Sequence, residues 1–146
     1  MTLSLRHFGI VVHDLDKALE FYCGELGLKV VRRMDESGDF IDTILNAEAV
    51  QVMTVKLAAD EGPTLLELLR FSVPPTEESK PCSLFSSGPT HFALTVDDLS
   101  GIYEYLTFSG TSFLSPPQKS PDGMALVAFC RDPEGNLIEL VQILEA

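Results

Sequence analysis

The chain has no tryptophan, only three cysteines, few basic residues and no long apolar run. Apolar stretches such as Leu126 to Phe129 fall far short of the ~20 residues needed to cross a bilayer, which argues against a spanning helix. The opening "MTLSLRHFG" lacks a charged region followed by an apolar core, so no signal peptide is expected and the reading is of a soluble, cytoplasmic protein. Ten Lys and Arg against 22 Asp and Glu leave a formal charge of −12, which repels nucleic-acid phosphates and anionic lipid, so neither nucleic acid nor membrane is an expected partner. Cys23, Cys82 and Cys130 are odd in number and form no CxxC pair, arguing against a disulfide framework or a thiolate zinc site and for free thiols.

What the chain does contain is a repeated phrase. "HFGIVVHDL" at 7–15 returns as "HFALTVDDL" at 91–99, an offset of 84 residues, and self-similarity at a fixed offset is a statement about architecture. With 146 residues, 45% of them hydrophobic, there is material for one compact core or for two small modules that share one.

Aligning the rest of the chain on this phrase gives the same element order twice. "LRHFGIVV" reads as a strand, and Asp14 caps an amphipathic helix from Leu15 to Leu26 that stops at Gly27. "LKVVRRM", "AVQVMTVKL" and "TLLELLRF" read as strands, with a short helical turn near Phe40 to Leu45. In the second copy "PTHFALTV" is a strand, Asp98 caps a helix from Leu99 to Phe108, and "TSFL", "MALVAFC" and "NLIELVQIL" follow as strands around the turn "DPEGN". The expected fold is therefore α+β: two βαβββ modules, residues 1–73 and 89–146, forming a curved eight-stranded mixed sheet around a cleft with the helices outside. Residues 74–88, rich in Pro and Ser, are the linker, whose "CSLF" is a candidate lid.

Alternation along each first strand puts His7 on the face of Gly9, and His91 on the face of Ala93. Small neighbours leave room beside both imidazoles. His13, at a strand-to-helix boundary, reads as surface. The last strands carry a second echo, "LLEL" at 65–68 and "LIEL" at 137–140, which sets Glu67 and Glu139 among apolar residues with no evident partner for a buried carboxylate. Two imidazoles and two carboxylates suit one divalent ion, with Ni, Co, Zn, Mn and Fe(II) all open, and leave adjacent positions for a small-molecule substrate with oxygens on neighbouring carbons. Arg6, Arg32, Arg33 and Arg70 are candidates to hold an acidic group of that substrate.

The repeated βαβββ unit, His7, His91, Glu67, Glu139 and "DPEGNLIEL" together resemble the glyoxalase / vicinal oxygen chelate superfamily, over nearly the whole chain and most closely its glyoxalase I and methylmalonyl-CoA epimerase branches. The resemblance implies a homodimer and a metal-dependent lyase or isomerase, with His7, Glu67, His91 and Glu139 as ligands. It also implies proton transfer through an enediolate or enolate, with Glu139 the first candidate for the base and Glu67 the second. The asparagine-tryptophan phrase of the glutathione-dependent enzymes is missing, which sets glutathione use in question. The His-to-Glu separation is 60 residues in the first half and 48 in the second, so the first module carries an insertion near Asp35 to Ala49 able to reshape the pocket. The alternatives within the superfamily are an Fe(II) ring-cleaving dioxygenase using His7, His91 and Glu139, a fosfomycin-type thiol transferase, and a metal-free drug-binding protein of the bleomycin-resistance type.

Overall fold

A computed structural model describes residues 1–78 and 83–145. The chain divides into two compact units, Met1–Glu78 and Ser79–Ala146. Cys82 and the middle of the expected linker lie outside the described residues. Among the described residues no helix is long and apolar enough to cross a membrane.

The first unit runs β1 (His7–Val11), α1 (Leu15–Leu19), a π-helical segment (Glu20–Glu25), β2 (Lys29–Ser37), α2 (Asp39–Leu45), β3 (Gln51–Ala58) and β4 (Leu65–Val73). Its four strands form one mixed sheet in the order β1-β4-β3-β2, with β1 parallel to β4 and the other pairs antiparallel. One face of the sheet buries Ile10, Val12, Val55, Leu57, Leu66 and Leu68, and α1, which lies along β4, buries Leu15 and Ala18. Burying a side chain of this size stabilises by about 1.5 to 3 kcal/mol, so this face holds most of the unit's core.

The expected helix over 15–26 is present but changes pitch. Asp14 caps it through its carboxylate, which accepts from Lys17 N at 3.0 Å. From Glu20 the turn widens and Leu26 N reaches back five residues to Phe21 O. Gly24, a poor helix former, sits inside the widened stretch. The wider turn still buries Phe21 and Tyr22, whose rings meet edge to face at 5.0 Å.

The insertion forms α2. Its Ile41 clusters with Val50 and Val52, against which Ala47, Leu69 and Phe71 pack. Cross-strand pairing puts Val52, Leu69 and Phe71 on the sheet face that also carries Glu67, so α2 covers one end of that face. The Asp42 carboxylate fastens the return to β3 by accepting from Ala49 N and Val50 N at 3.1 and 2.8 Å.

The second unit repeats the pattern with β5 (His91–Thr95), α3 (Leu99–Phe108), β6 (Gln118–Lys119), β7 (Ala125–Arg131) and β8 (Leu137–Ile143), in the order β5-β8-β7-β6. α3 has the expected bounds, and Asp98 accepts from Gly101 N at 3.0 Å; a Cβ at Gly101 would collide with that carboxylate. The "TSFL" segment, expected as a strand, contributes only an isolated bridge between Phe113 and Cys130. Pro116 and Pro117 carry no N–H for a ladder, so pairing resumes after them at Gln118. The turn "DPEGN" is tied by Asp132, whose carboxylate accepts from Glu134 N, Asn136 N and Asn136 Nδ2 at 2.8 to 2.9 Å. Both units are thus α+β, each with a four-stranded mixed sheet.

Candidate functional site

The parallel pairing of first and last strands places the four singled-out residues. In the first unit Gly9 is the register partner of Glu67, so His7, two residues before Gly9, lies on the same face as the carboxylate and diagonal to it. The second unit repeats the offset: Ala93 partners Glu139, and His91 is two residues back. Nε2 of His7 is 3.8 Å from Oε2 of Glu67, and Nε2 of His91 is 3.3 Å from Oε2 of Glu139. The glutamate side chains are 12% and 26% exposed and the histidines 35% and 33%, so each pair forms a partly sunken donor set at the surface of its own sheet. A Cβ at Gly9 would touch only Leu69 Cδ1, at 3.5 Å, so the room inferred beside His7 is present.

The two pairs are not equivalent. Lys56, in register with Glu67 on β3, brings Nζ to 3.8 Å from the same Oε2 that faces His7. The expectation that Glu67 has no partner for its charge is corrected here: an ammonium lies across the ladder. The corresponding position on β7 is Phe129, whose ring meets the edge of His91 at 5.1 Å. His91 has a further partner in Thr90, whose Oγ1 is 2.8 Å from Nδ1. When Nδ1–H donates to that hydroxyl, the Nε2 lone pair faces Glu139, the tautomer a cation requires. The residue before His7 is Arg6, so the first pair lacks this hydroxyl.

Thr90 was not singled out in the sequence, although a hydroxyl residue directly before His91 was the available signal. Lys56 and Phe129 depend on cross-strand register, which no local pattern states. His13 is exposed, as expected; its Nε2 lies 2.9 Å from Glu77 O, and its own carbonyl accepts from Arg70 Nε. Of the two arginines on β2, Arg32 pairs with Lys56 and so shares the face of Glu67, whereas Arg33 pairs with Val55 on the opposite face. Within either unit, among the described residues, no group of three His, Cys, Asp or Glu side chains gathers at metal-ligand spacing; each unit supplies a pair. Burial pushes the Cys130 thiol up to about 12, with Asp132 adding to the effect, so it is no nucleophile.

Comparison with known proteins gives the family and the fold. A "Probable lactoylglutathione lyase" of Synechocystis sp. is 29% identical over 142 residues, covering 96% of this chain and 95% of that protein. A 2-epi-5-epi-valiolone epimerase from Actinomyces sp. is 27% identical over 147 residues, covering 97% of this chain and 80% of that protein. The crystal structure of a glyoxalase family protein from Bacillus cereus superposes with a TM-score of 0.90 at 25% identity, covering 99% of this chain and 97% of that one. The sequence pattern of one family spans residues 4–140, from just before the first histidine to just past the last glutamate. With the doubled βαβββ fold and its twin His–Glu diagonals, that match makes the chain a member of the Glyoxalase/Bleomycin resistance protein/Dioxygenase superfamily.

Proposed function

We propose that this protein is a metal-dependent lyase or isomerase of glyoxalase or epimerase type, in which His7, Glu67, His91 and Glu139 hold one divalent ion. The carrying observation is the same His–Glu diagonal in both units, with nitrogen and oxygen 3.8 and 3.3 Å apart. Two neutral imidazoles and two carboxylates form a mixed nitrogen and oxygen set that balances a 2+ charge and suits Ni, Co, Zn, Mn or Fe(II). Such an ion, when bound, polarises a substrate carbonyl and makes the neighbouring C–H more acidic.

The chain's own residues do the rest. Thr90 holds His91 by Nδ1 and keeps its Nε2 aimed toward Glu139. One glutamate moves the proton between neighbouring substrate carbons. Glu139 is favoured as that base because Glu67 already faces the Lys56 ammonium. Two half-sets of ligands also fit the homodimer of the resemblance, the full set being drawn from one chain or from two.

Lys56 favours a second reading. If its ion pair keeps Glu67 out of the ligand set, His7, His91 and Glu139 remain, which is the two-His, one-carboxylate set of Fe(II) oxygenases. One experiment separates the readings. Protein loaded with each metal in turn is offered hemithioacetals, acyl-CoA thioesters and catechols in D₂O. The lyase or isomerase reading expects deuterium at the carbon next to a carbonyl, and it is contradicted by ring cleavage of a catechol with Fe(II) alone.

A further inference from the structure

Lys56 does more than lie beside Glu67. Its other register partner, on β2, is Arg32, so two cations stand side by side across the ladder on the face that carries His7 and Glu67. Like charges directly opposite each other in a sheet are destabilising. In a chain with only ten basic residues and a net charge of −12, setting two of them together is not explained by stability. Nor does the fold require a cation at the Lys56 position, since Phe129 occupies the equivalent place opposite Glu139. The Lys56 side chain is 27% exposed against 12% for Glu67, which sets the ammonium at the rim of the half-site. Arg32 is exposed and, among the described residues, has no ion-pair partner.

Charge balance gives the pair a role. This step rests on the metal-site reading above. With a divalent ion bound, two glutamates neutralise it, and Lys56 leaves the cluster one positive charge in excess. The excess is the same whether Glu67 binds the ion or stays with Lys56, and Arg32 adds a second charge. We propose that Lys56 and Arg32 form an anion-reading edge of this site, so that the substrate carries a carboxylate or phosphate-type group beside its chelating oxygens. The guanidinium offers a two-pronged contact to such a group and the ammonium a point charge.

Hydroxamates test this directly, because they chelate through two oxygens on neighbouring atoms and can be made with or without a second charged group. The probes are acetohydroxamate, succinic monohydroxamate, which adds a carboxylate, and phosphonoacetohydroxamate, which adds a phosphonate. Binding is followed by calorimetry on Zn-loaded full-length protein, with metal content read by mass spectrometry. The wild type is expected to bind at least one acidic probe on the order of tenfold more tightly than acetohydroxamate, and the preferred probe identifies carboxylate or phosphonate as the group read. Lys56→Gln and Arg32→Gln should each lose most of that preference. Lys56→Arg should keep it, and so should Arg33→Gln, whose side chain lies on the opposite face. Arg32→Gln should also keep its full metal content, which separates anion reading from damage to the metal site. Equal binding of all three probes, or a preference that persists in either Gln variant, overturns the inference and leaves the metal reading standing. A wild type that takes up no metal removes the metal reading, and this inference falls with it.

Discussion

At the scale of single residues, the surroundings of the histidines and glutamates differ more than the repeat suggests. His91 is fixed by Thr90 and flanked by Phe129, while His7 has neither; Glu67 faces an ammonium and Glu139 does not. The second unit therefore carries the better prepared half of the proposed ligand set. Thr90→Val keeps the shape of the side chain and removes the hydroxyl that pairs with Nδ1 of His91, so metal affinity should fall by about 10 to 100-fold with little change in thermal unfolding of the metal-free protein. Unchanged affinity in a competition titration against a coloured chelator would refute this role. The four candidate residues could be singled out because each pair sits at the same place in two copies of one element order. Lys56 was not: whether it faces Glu67 or solvent depends on how many residues the loop between β3 and β4 absorbs, and "AADEGP" does not fix that.

At the scale of elements, the two modules resist change in different places. The turn from β7 to β8 sets the position of Glu139, and one mostly buried carboxylate, Asp132, takes three hydrogen bonds to hold it. Asp132→Ala leaves those donors unpaired and should cost about 2 to 3 kcal/mol in urea unfolding, with a loss of metal affinity that follows from the loosened strand. A shift under about 0.5 kcal/mol would mean that the turn does not depend on this carboxylate. Strands and caps were readable from alternation and from Asp14 and Asp98. The π-helical stretch was not, because the spacing of apolar residues from Leu15 to Leu26 fits an ordinary helix and nothing local signals the change of pitch. The "TSFL" segment misled for a related reason: its composition suits a strand, but two prolines follow it and prevent a continuous ladder.

At the scale of the whole molecule, each unit pairs one imidazole with one carboxylate, and among the described residues neither unit gathers a third candidate ligand of its own. The central claim is that the two half-sets act together on one ion. Its architecture was legible early, since a repeated βαβββ order read from the sequence matches two four-stranded sheets of identical strand order. The convergence of the half-sets was an expectation drawn from the paired residue types and from the resemblance, because no pattern along a chain reports how distant strands meet. The most direct test is metal binding at equilibrium, by dialysis and mass spectrometry, for the wild type, for His91→Ala and Glu139→Ala, for the exposed His13→Ala, and for the variant with Ala at positions 7, 67, 91 and 139. The account predicts one divalent ion for each His7–Glu67–His91–Glu139 set in the wild type and in His13→Ala, most of it lost in either single variant, and none in the fourfold variant. It is contradicted if the wild type, offered Ni, Co, Zn, Mn and Fe(II) in turn, binds each no better than the fourfold variant, in which case the metal-free binding protein is the surviving reading.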